Sequence, residues 1–271
     1  MSGNAALGEA AVLAGCTCYF GYPITPQNEL TEYMAKRIPE VGGVFIQSES
    51  EIAAINMVLG ASVAGARAMT SSSSPGISLK QEGISYLAAD ELPAVIVDMV
   101  RGGPGMGNIS PAQSDYLQAT RGGGHGDYKT IVLAPGSVQE AVELVPLAFD
   151  LADEYRNPVI ILGDGMLGQM MEPVSFDNIN SKKEYPKDYI LNGAKGRPSR
   201  MLRSLLFDTK EEEEHNWKLF RKYQRMERNE VRYETFLIDD AELVVIAYGI
   251  AARIAKGAIK RARQENLKVG M

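Results

Sequence analysis

Along residues 1–170 the apolar and polar positions alternate between two textures. Short apolar runs at residues 16–23, 42–47, 94–100, 129–135 and 158–165 have the length and β-branched content of strands. Between them lie longer stretches of small and amphipathic composition, at residues 3–15, 26–40, 48–66, 78–93 and 137–156, that read as helices. The helix over 26–40 is expected to open on Pro26 and stop near Pro39. Residues 67–76, RAMTSSSSPG, read as a strand running into a serine-rich loop, and 101–111, RGGPGMGNISP, as a glycine-rich loop. Strand and helix in alternation predict an α/β fold: a mainly parallel sheet with helices on both faces. Such sheets place sites at the carboxyl ends of their strands. The unusual segments GYPITP, QSESE, TSSSSPG and RGGPGMG all follow predicted strands, so one edge should gather them.

From about residue 171 the pattern changes. Residues 172–200 are polar and broken, like a linker, and 209–235 form a heavily charged helix expected to be solvated. Residues 241–271 read as strand, helix and the beginning of a further strand, which cannot bury its faces unaided. The expected organisation is a first domain over 1–175, a linker with the charged helix over 176–239, and the truncated start of a second α/β domain over 240–271.

Composition narrows the classes. The chain has 271 residues and a net charge of −6, which gives no support to nucleic-acid binding. No apolar run approaches the roughly 18 residues a membrane span needs, and no basic segment precedes an apolar one at the N-terminus, so a cytoplasmic protein is expected. There are two cysteines, Cys16 and Cys18, and two histidines, His125 and His215. An iron–sulfur cubane takes four thiolates, so this chain is not expected to hold one, and a His/Cys zinc site is disfavoured.

Two local features suggest chemistry. In GYPITPQNE, Pro23 and Pro26 stiffen the backbone around Thr25. Thr25 can then serve as a helix N-cap ahead of Pro26, or present its hydroxyl in a site. Arg101 follows a buried strand and precedes GGPG, where backbone can approach a ligand closely; the alternative is a surface-loop arginine.

The motifs GYPITPQNE, SESEIAAIN, TSSSSPGISLKQEGISY, VRGGPGMG, GGGHGDY and VLAPGSVQEA occur in this order. Together they resemble the alpha-type subunit of 2-oxoacid:ferredoxin oxidoreductases. The serine-rich run is most similar to the 2-oxoisovalerate (3-methyl-2-oxobutanoate) branch. The resemblance is strong from residue 3 to about 174. It implies the pyrimidine-side domain of a thiamine diphosphate fold, followed by the start of a transketolase-C-like domain. It further implies oxidative decarboxylation of a 2-oxoacid, branched-chain by preference, to the acyl-CoA, with coenzyme A as co-substrate and electrons passed to ferredoxin. A beta-type partner would carry the diphosphate/Mg site, and a ferredoxin-like subunit or ferredoxin the iron–sulfur clusters. No metal is expected on this chain.

The resemblance also assigns residues. Thiamine chemistry needs a carboxyl group on the far ring nitrogen of the aminopyrimidine, and the protein supplies that group and orientation. Glu51 matches the family's glutamate, with Glu49 as second choice; a glutamate that merely favours the helix dipole is the alternative. Arg101 matches the arginine for the substrate carboxylate, and Thr25 the threonine facing the reacting carbon. Tyr22, Pro23 and Ser74 are placed with Glu51 at the cofactor, although the broader family has glycine where Ser74 stands. His125 matches a motif without a chemical role. GDG at 163–165 with Asn192 mimics a thiamine-diphosphate metal motif and is rejected, since no apolar strand leads to the asparagine. Rival readings are the same family acting on 2-oxoglutarate or another 2-oxoacid, and a non-catalytic nucleotide-binding or scaffold subunit. The phosphate-loop signatures GxGxxG and GxxxxGK[ST] are missing.

Overall fold

In a computed structural model, which describes residues 1–177, 179 and 183–271, two wholly buried strands form the centre of the sheet. They are β4 (Ala94–Val100) and β6 (Pro158–Asp164), paired in parallel along their full length. Their apolar side chains have no polar face to show because helices cover both sides. β1 (Cys18–Gly21), β2 (Val44–Gln47), β3 (Ala68–Ser72) and β5 (Ile131–Leu133) complete a six-stranded sheet in the order β2-β1-β3-β4-β6-β5. Every pairing is parallel. The carboxyl ends of the strands therefore share one edge, as the alternating pattern predicts.

The helices build two layers. α1 (Gly3–Leu13) packs against α2 (Asn28–Glu40) and α6 (Val138–Tyr155), its alanines permitting close approach. α3 (Glu51–Val63) packs against α4 (Ser74–Ala89). Two short helices, α5 (Tyr116–Arg121) and α7 (Gly165–Gln169), were not expected from the pattern, being too brief to carry a periodicity.

Two boundaries differ from expectation. α2 begins at Asn28 with Gln27 in the cap position, and Thr25 is not its cap. The Pro26 carbonyl is drawn away from the helix by the side chains of Asn4 and Gln169, at 2.9 and 3.2 Å. The serine-rich segment is not a loop. β3 runs to Ser72 and α4 starts at Ser74, with a single residue between.

The charged helix α8 (Thr209–Asn229) is not solvated all round. Leu219, Tyr223 and Met226 are buried, and Lys218 and Lys222 both pair with Glu91. The i, i+4, i+7 stripe docks while the charges occupy the other faces. Four residues of the expected linker (178, 180, 181 and 182) lie outside the described residues. At the chain's end, β7 (Leu243–Val244), α9 (Gly249–Gln264) and β8 (Val269–Gly270) form a parallel βαβ unit with its own two-stranded sheet. The Gln113 amide donates to the Tyr248 carbonyl at 3.0 Å, and Arg253 pairs with Glu172 at 2.6 Å, tying this unit to the larger sheet.

Candidate active site

The candidate residues all follow strand ends on the shared edge. Thr25 follows β1, Glu51 follows β2, Ser74 follows β3 and Arg101 follows β4. Glu51 opens α3 behind Ser50, whose Oγ accepts from the Ala53 amide at 3.3 Å. Its side chain is buried, whereas Glu49 is exposed. Glu51 lies against Gly76 of α4. A Cβ at position 76 would meet Glu51 Oε1 at 2.7 Å and Ser72 Oγ at 2.0 Å, so only glycine fits there. The hydroxyls of Ser72 and Ser73 are buried without a hydrogen-bond partner. Buried polar groups are nearly always partnered, and those that are not mark places where a ligand or water completes the set.

Lys80, one turn beyond Gly76, is completely buried. Its Nζ donates to the Glu51 carbonyl oxygen at 3.4 Å. Burial pushes the amine down to about 8, with the Glu51 charge opposing that shift.

Arg101 is buried too. Its Nη1 donates to the Thr25 carbonyl at 3.0 Å and its Nη2 to the Met106 carbonyl at 2.9 Å. Its Nε is buried and unpartnered. Among the described residues no carboxylate neutralises this guanidinium. Its main chain is held by Ser74, whose Oγ accepts from the Arg101 amide at 3.0 Å. The Thr25 side chain is exposed, on a cleft of about 620 Å³ shared with Pro26, Ile109, Pro111 and Met166. Thr25 and Arg101 are thus brought together directly, and α4 spans from Glu51 to Arg101.

The remaining assignments are distributed as follows. Tyr22 and Pro23 are exposed beside Thr25, and the Tyr22 carbonyl accepts from the Gln27 side chain at 3.2 Å. Ser74 is buried at φ +21°, in the region that favours glycine. This fits the glycine that the broader family carries there. Its hydroxyl donates to Asp115 Oδ2 at 2.5 Å. His125 is exposed and contributes its carbonyl, which accepts from Ser85 Oγ at 2.9 Å. Asp164 of the GDG caps α7, its Oδ1 accepting from the Met166 and Leu167 amides at 2.9 Å, while Asn192 accepts from Arg197.

Three groups at this edge escaped the sequence reading: Lys80, Asp98 and Asp115. Asp98 is fully buried on β4 and accepts from the Ser74 amide at 3.3 Å, while Asp115 accepts from the Ser74 hydroxyl. A signal for it exists, since it is the one charged residue in AVIVDMV. Exposed apolar side chains occur within or next to the site segments: Tyr22, Ile52, Leu79, Met106, Ile109 and Leu117.

Comparison with known proteins decides the family. Residues 9–235 match the family described as pyruvate flavodoxin/ferredoxin oxidoreductase, thiamine diphosphate-binding. The chain belongs to this family. It is 53% identical over its whole length to ketoisovalerate oxidoreductase subunit VorB of Methanothermobacter thermautotrophicus, covering 77% of that protein. It is 38% identical to 2-oxoglutarate synthase subunit KorA of Methanocaldococcus jannaschii, covering 80% of that protein. Among solved structures, 2-oxoglutarate:ferredoxin oxidoreductase from Magnetococcus marinus, with 2-oxoglutarate, coenzyme A and succinyl-CoA bound, superposes over the whole chain. The TM-score is 0.85 at 30% identity, and the chain spans 52% of that protein. A thiamine diphosphate-dependent decarboxylase from Rhodococcus jostii shares the fold over 69% of the chain, with a TM-score of 0.50 at 13% identity. The fold is therefore the thiamine diphosphate-binding fold, and the relatives are subunits of heteromeric 2-oxoacid oxidoreductases. Among the described residues no helix is long and apolar enough to cross a membrane.

Proposed function

We propose that this chain supplies the pyrimidine half of a thiamine diphosphate site shared with a partner subunit, in a cytoplasmic enzyme that converts a branched-chain 2-oxoacid and coenzyme A to acyl-CoA and carbon dioxide, passing two electrons to ferredoxin. The observation that carries this reading is the buried Glu51 carboxyl against Gly76, on the same edge as Arg101 and Thr25. The donor set fits an aminopyrimidine. Glu51 offers a carboxyl for a ring nitrogen, and the unpartnered hydroxyl of Ser72 faces the same Gly76 position as that carboxyl. When bound, thiamine diphosphate supplies the nucleophilic carbon and the electron sink for decarboxylation.

The protein residues orient and bind. Glu51 holds the ring, with Tyr22, Pro23 and Ser74 bounding it. Among the described residues Arg101 has no protein counterion, and so it suits the substrate carboxylate, where its planar fork gives two parallel bonds. Thr25 presents its side chain to the cleft and its carbonyl to Arg101, fixing the two against each other. The chain's two cysteines are too few for a cubane, which assigns the clusters to partner chains, and the family resemblance assigns the diphosphate and magnesium to the beta-type partner. The exposed apolar side chains at this edge are the surface for the partner that brings the diphosphate half. The greater identity to the ketoisovalerate relative favours a branched-chain substrate over 2-oxoglutarate.

The test is Glu51→Gln in the assembled complex, with Glu49→Gln as control. Loss of C2 proton exchange on bound cofactor, with an unchanged melting temperature, is expected for Glu51→Gln only. Normal exchange in that variant removes the role from Glu51. Turnover assays with several 2-oxoacids then rank the substrates.

A further inference from the structure

Against the segment that presents Tyr22 and Thr25 lies a closed polar cluster that the chemistry above does not use. Tyr19, Gln27 and Ser71 are completely buried, and Thr31 is nearly so. Tyr19 comes from β1, Ser71 from β3 and Thr31 from α2, with Gln27 at the head of that helix. Ser71 Oγ donates to Gln27 Oε1 at 2.5 Å, and Thr31 Oγ1 donates to the same oxygen at 3.0 Å. The Tyr19 hydroxyl lies 2.5 Å from Ser71 Oγ and 2.9 Å from Thr31 Oγ1, which closes the set. Gln27 Nε2 faces the other way and donates to the Tyr22 carbonyl at 3.2 Å.

This arrangement gives the amide one orientation. Two hydroxyl protons point at Oε1, and the Tyr22 carbonyl can only accept, so the NH2 group must be the end that meets it. Reversal would set two oxygens 3.2 Å apart. Gln27 also donates its main-chain amide to the Ile24 carbonyl at 3.0 Å. One residue thus holds the carbonyls on either side of Pro23, and Thr25 follows directly after the second. Such bracing has to come from outside the segment, because Pro23 and Pro26 have no N–H to donate. The neighbouring carbonyls are held as well. That of Gly21 accepts from the Ser48 amide and hydroxyl at 3.0 and 3.2 Å, and that of Thr25 from Arg101 at 3.0 Å.

We propose that Gln27 is a positioning residue for Thr25: its buried side chain, oriented by Ser71, Thr31 and Tyr19, sets the backbone that aims the Thr25 side chain at the substrate. The proposal rests on the reading above in which Thr25 faces the reacting carbon. The three hydroxyls stand on two strands of the sheet and on α2, so the place of Thr25 is referred to the core rather than to the loop itself. A misplacement of about 1 Å in a reacting group is enough to cost on the order of a hundredfold in rate, so a brace of this kind has a kinetic consequence.

The experiment is a double-substitution cycle on kcat/KM for the 2-oxoacid, in the assembled complex and below the melting transition of every variant. Gln27→Met is close in size and has no N–H to give the Tyr22 carbonyl. It should lower kcat/KM about tenfold in the parent and less than about twofold in the Thr25→Ala background, where no Thr25 hydroxyl is left to aim. Gln27→Asn keeps a buried amide for Ser71 and Thr31 but stops one carbon short of the Tyr22 carbonyl. It should give the same pattern, and it decides the matter if Gln27→Met does not assemble. A residue that merely supports the fold would lower the melting temperature and act alike in both backgrounds. Equal losses in the two backgrounds therefore overturn the proposal, as does a Gln27→Asn variant within about twofold of the parent. Thr25→Ala with unchanged kcat/KM would remove the reading on which the proposal rests, and the proposal with it; that failure shows in the single Thr25 variant and is told apart there.

Discussion

Arg67 and Arg101, at opposite edges of the same sheet, are treated in opposite ways. Arg67 precedes β3 at the amino edge. Its Nε and Nη2 meet Asp153 and Asp150 at 2.7 and 2.8 Å, its Nη1 meets the Ala14 carbonyl at 2.7 Å, and its plane lies over Phe149. Burial opposes its charge, but the two carboxylates more than offset that and hold the pKa above its ordinary value. Arg101, after β4 at the carboxyl edge, meets two neutral carbonyl oxygens and leaves Nε bare. A charge matched within the protein fixes the fold. A buried charge left without a protein counterion among the described residues is what the proposed carboxylate-binding role of Arg101 requires, and Lys80 beside Glu51 is likewise without an ion-pair partner there. The amino edge spends its ion pairs on joining α1, β3 and α6, while the carboxyl edge keeps its charges incompletely satisfied.

Substitution of the arginines gives the largest contrast. Arg67→Met should cost about 3–5 kcal/mol, because Asp150 and Asp153 are left without their partner and Asp153 is buried. Arg101→Met should cost less than about 1 kcal/mol, since the Thr25 and Met106 carbonyls lie at exposed residues where water replaces it. Urea unfolding of both variants measures this, and equal costs would erase the distinction between the edges.

Lys80 sharpens it through pH. Its folded pKa, about 8, lies below the unbound value of 10.5. Between those values the unfolded chain binds more protons than the folded one, so this residue makes stability rise with pH. The stability of the parent relative to Lys80→Met should therefore climb by about 3 kcal/mol from pH 8 to 10.5 and stay level below that window. A constant difference across the window would mean that the amine is not desolvated. The comparison against the variant cancels Tyr19 and Cys16, both pushed up to about 12 by burial, which act in the reverse direction.

Thr25 gives the smallest effect on stability. With Gln27 in the cap position, Thr25→Ala should change stability by less than about 0.5 kcal/mol. The same variant should lower kcat/KM at least about tenfold, equivalent to roughly 1.4 kcal/mol of transition-state stabilisation. An active variant with a lowered melting temperature would make Thr25 a structural residue.

Legibility in the sequence followed the range of the interactions. Glu51 and Arg101 stand in local motifs immediately after strands, and strand ends of a parallel sheet must converge, so their shared edge was readable. Asp98 and Asp115 were not, because nothing in AVIVDMV or PAQSDY says that both carboxyls bond to Ser74. The start of α4 was misread for a related reason. Four consecutive serines suggest a loop, yet Ser74 is locked by groups from β4 and from the segment ahead of α5. The docking of α8 was hidden under its charges, although Leu219, Tyr223 and Met226 carry the helical spacing.

By itself, then, the order of apolar runs and small-residue helices determined a parallel sheet, the edge at which its strands' carboxyl ends gather and the residue types on it. Those depend on periodicities of a few residues, which local backbone geometry enforces. Which of those charges would be matched and which left bare was decided only by the tertiary structure. Matching requires side chains 86 residues apart, as in Arg67 and Asp153, to arrive within 2.7 Å of each other, and only the packing of the layers can bring that about.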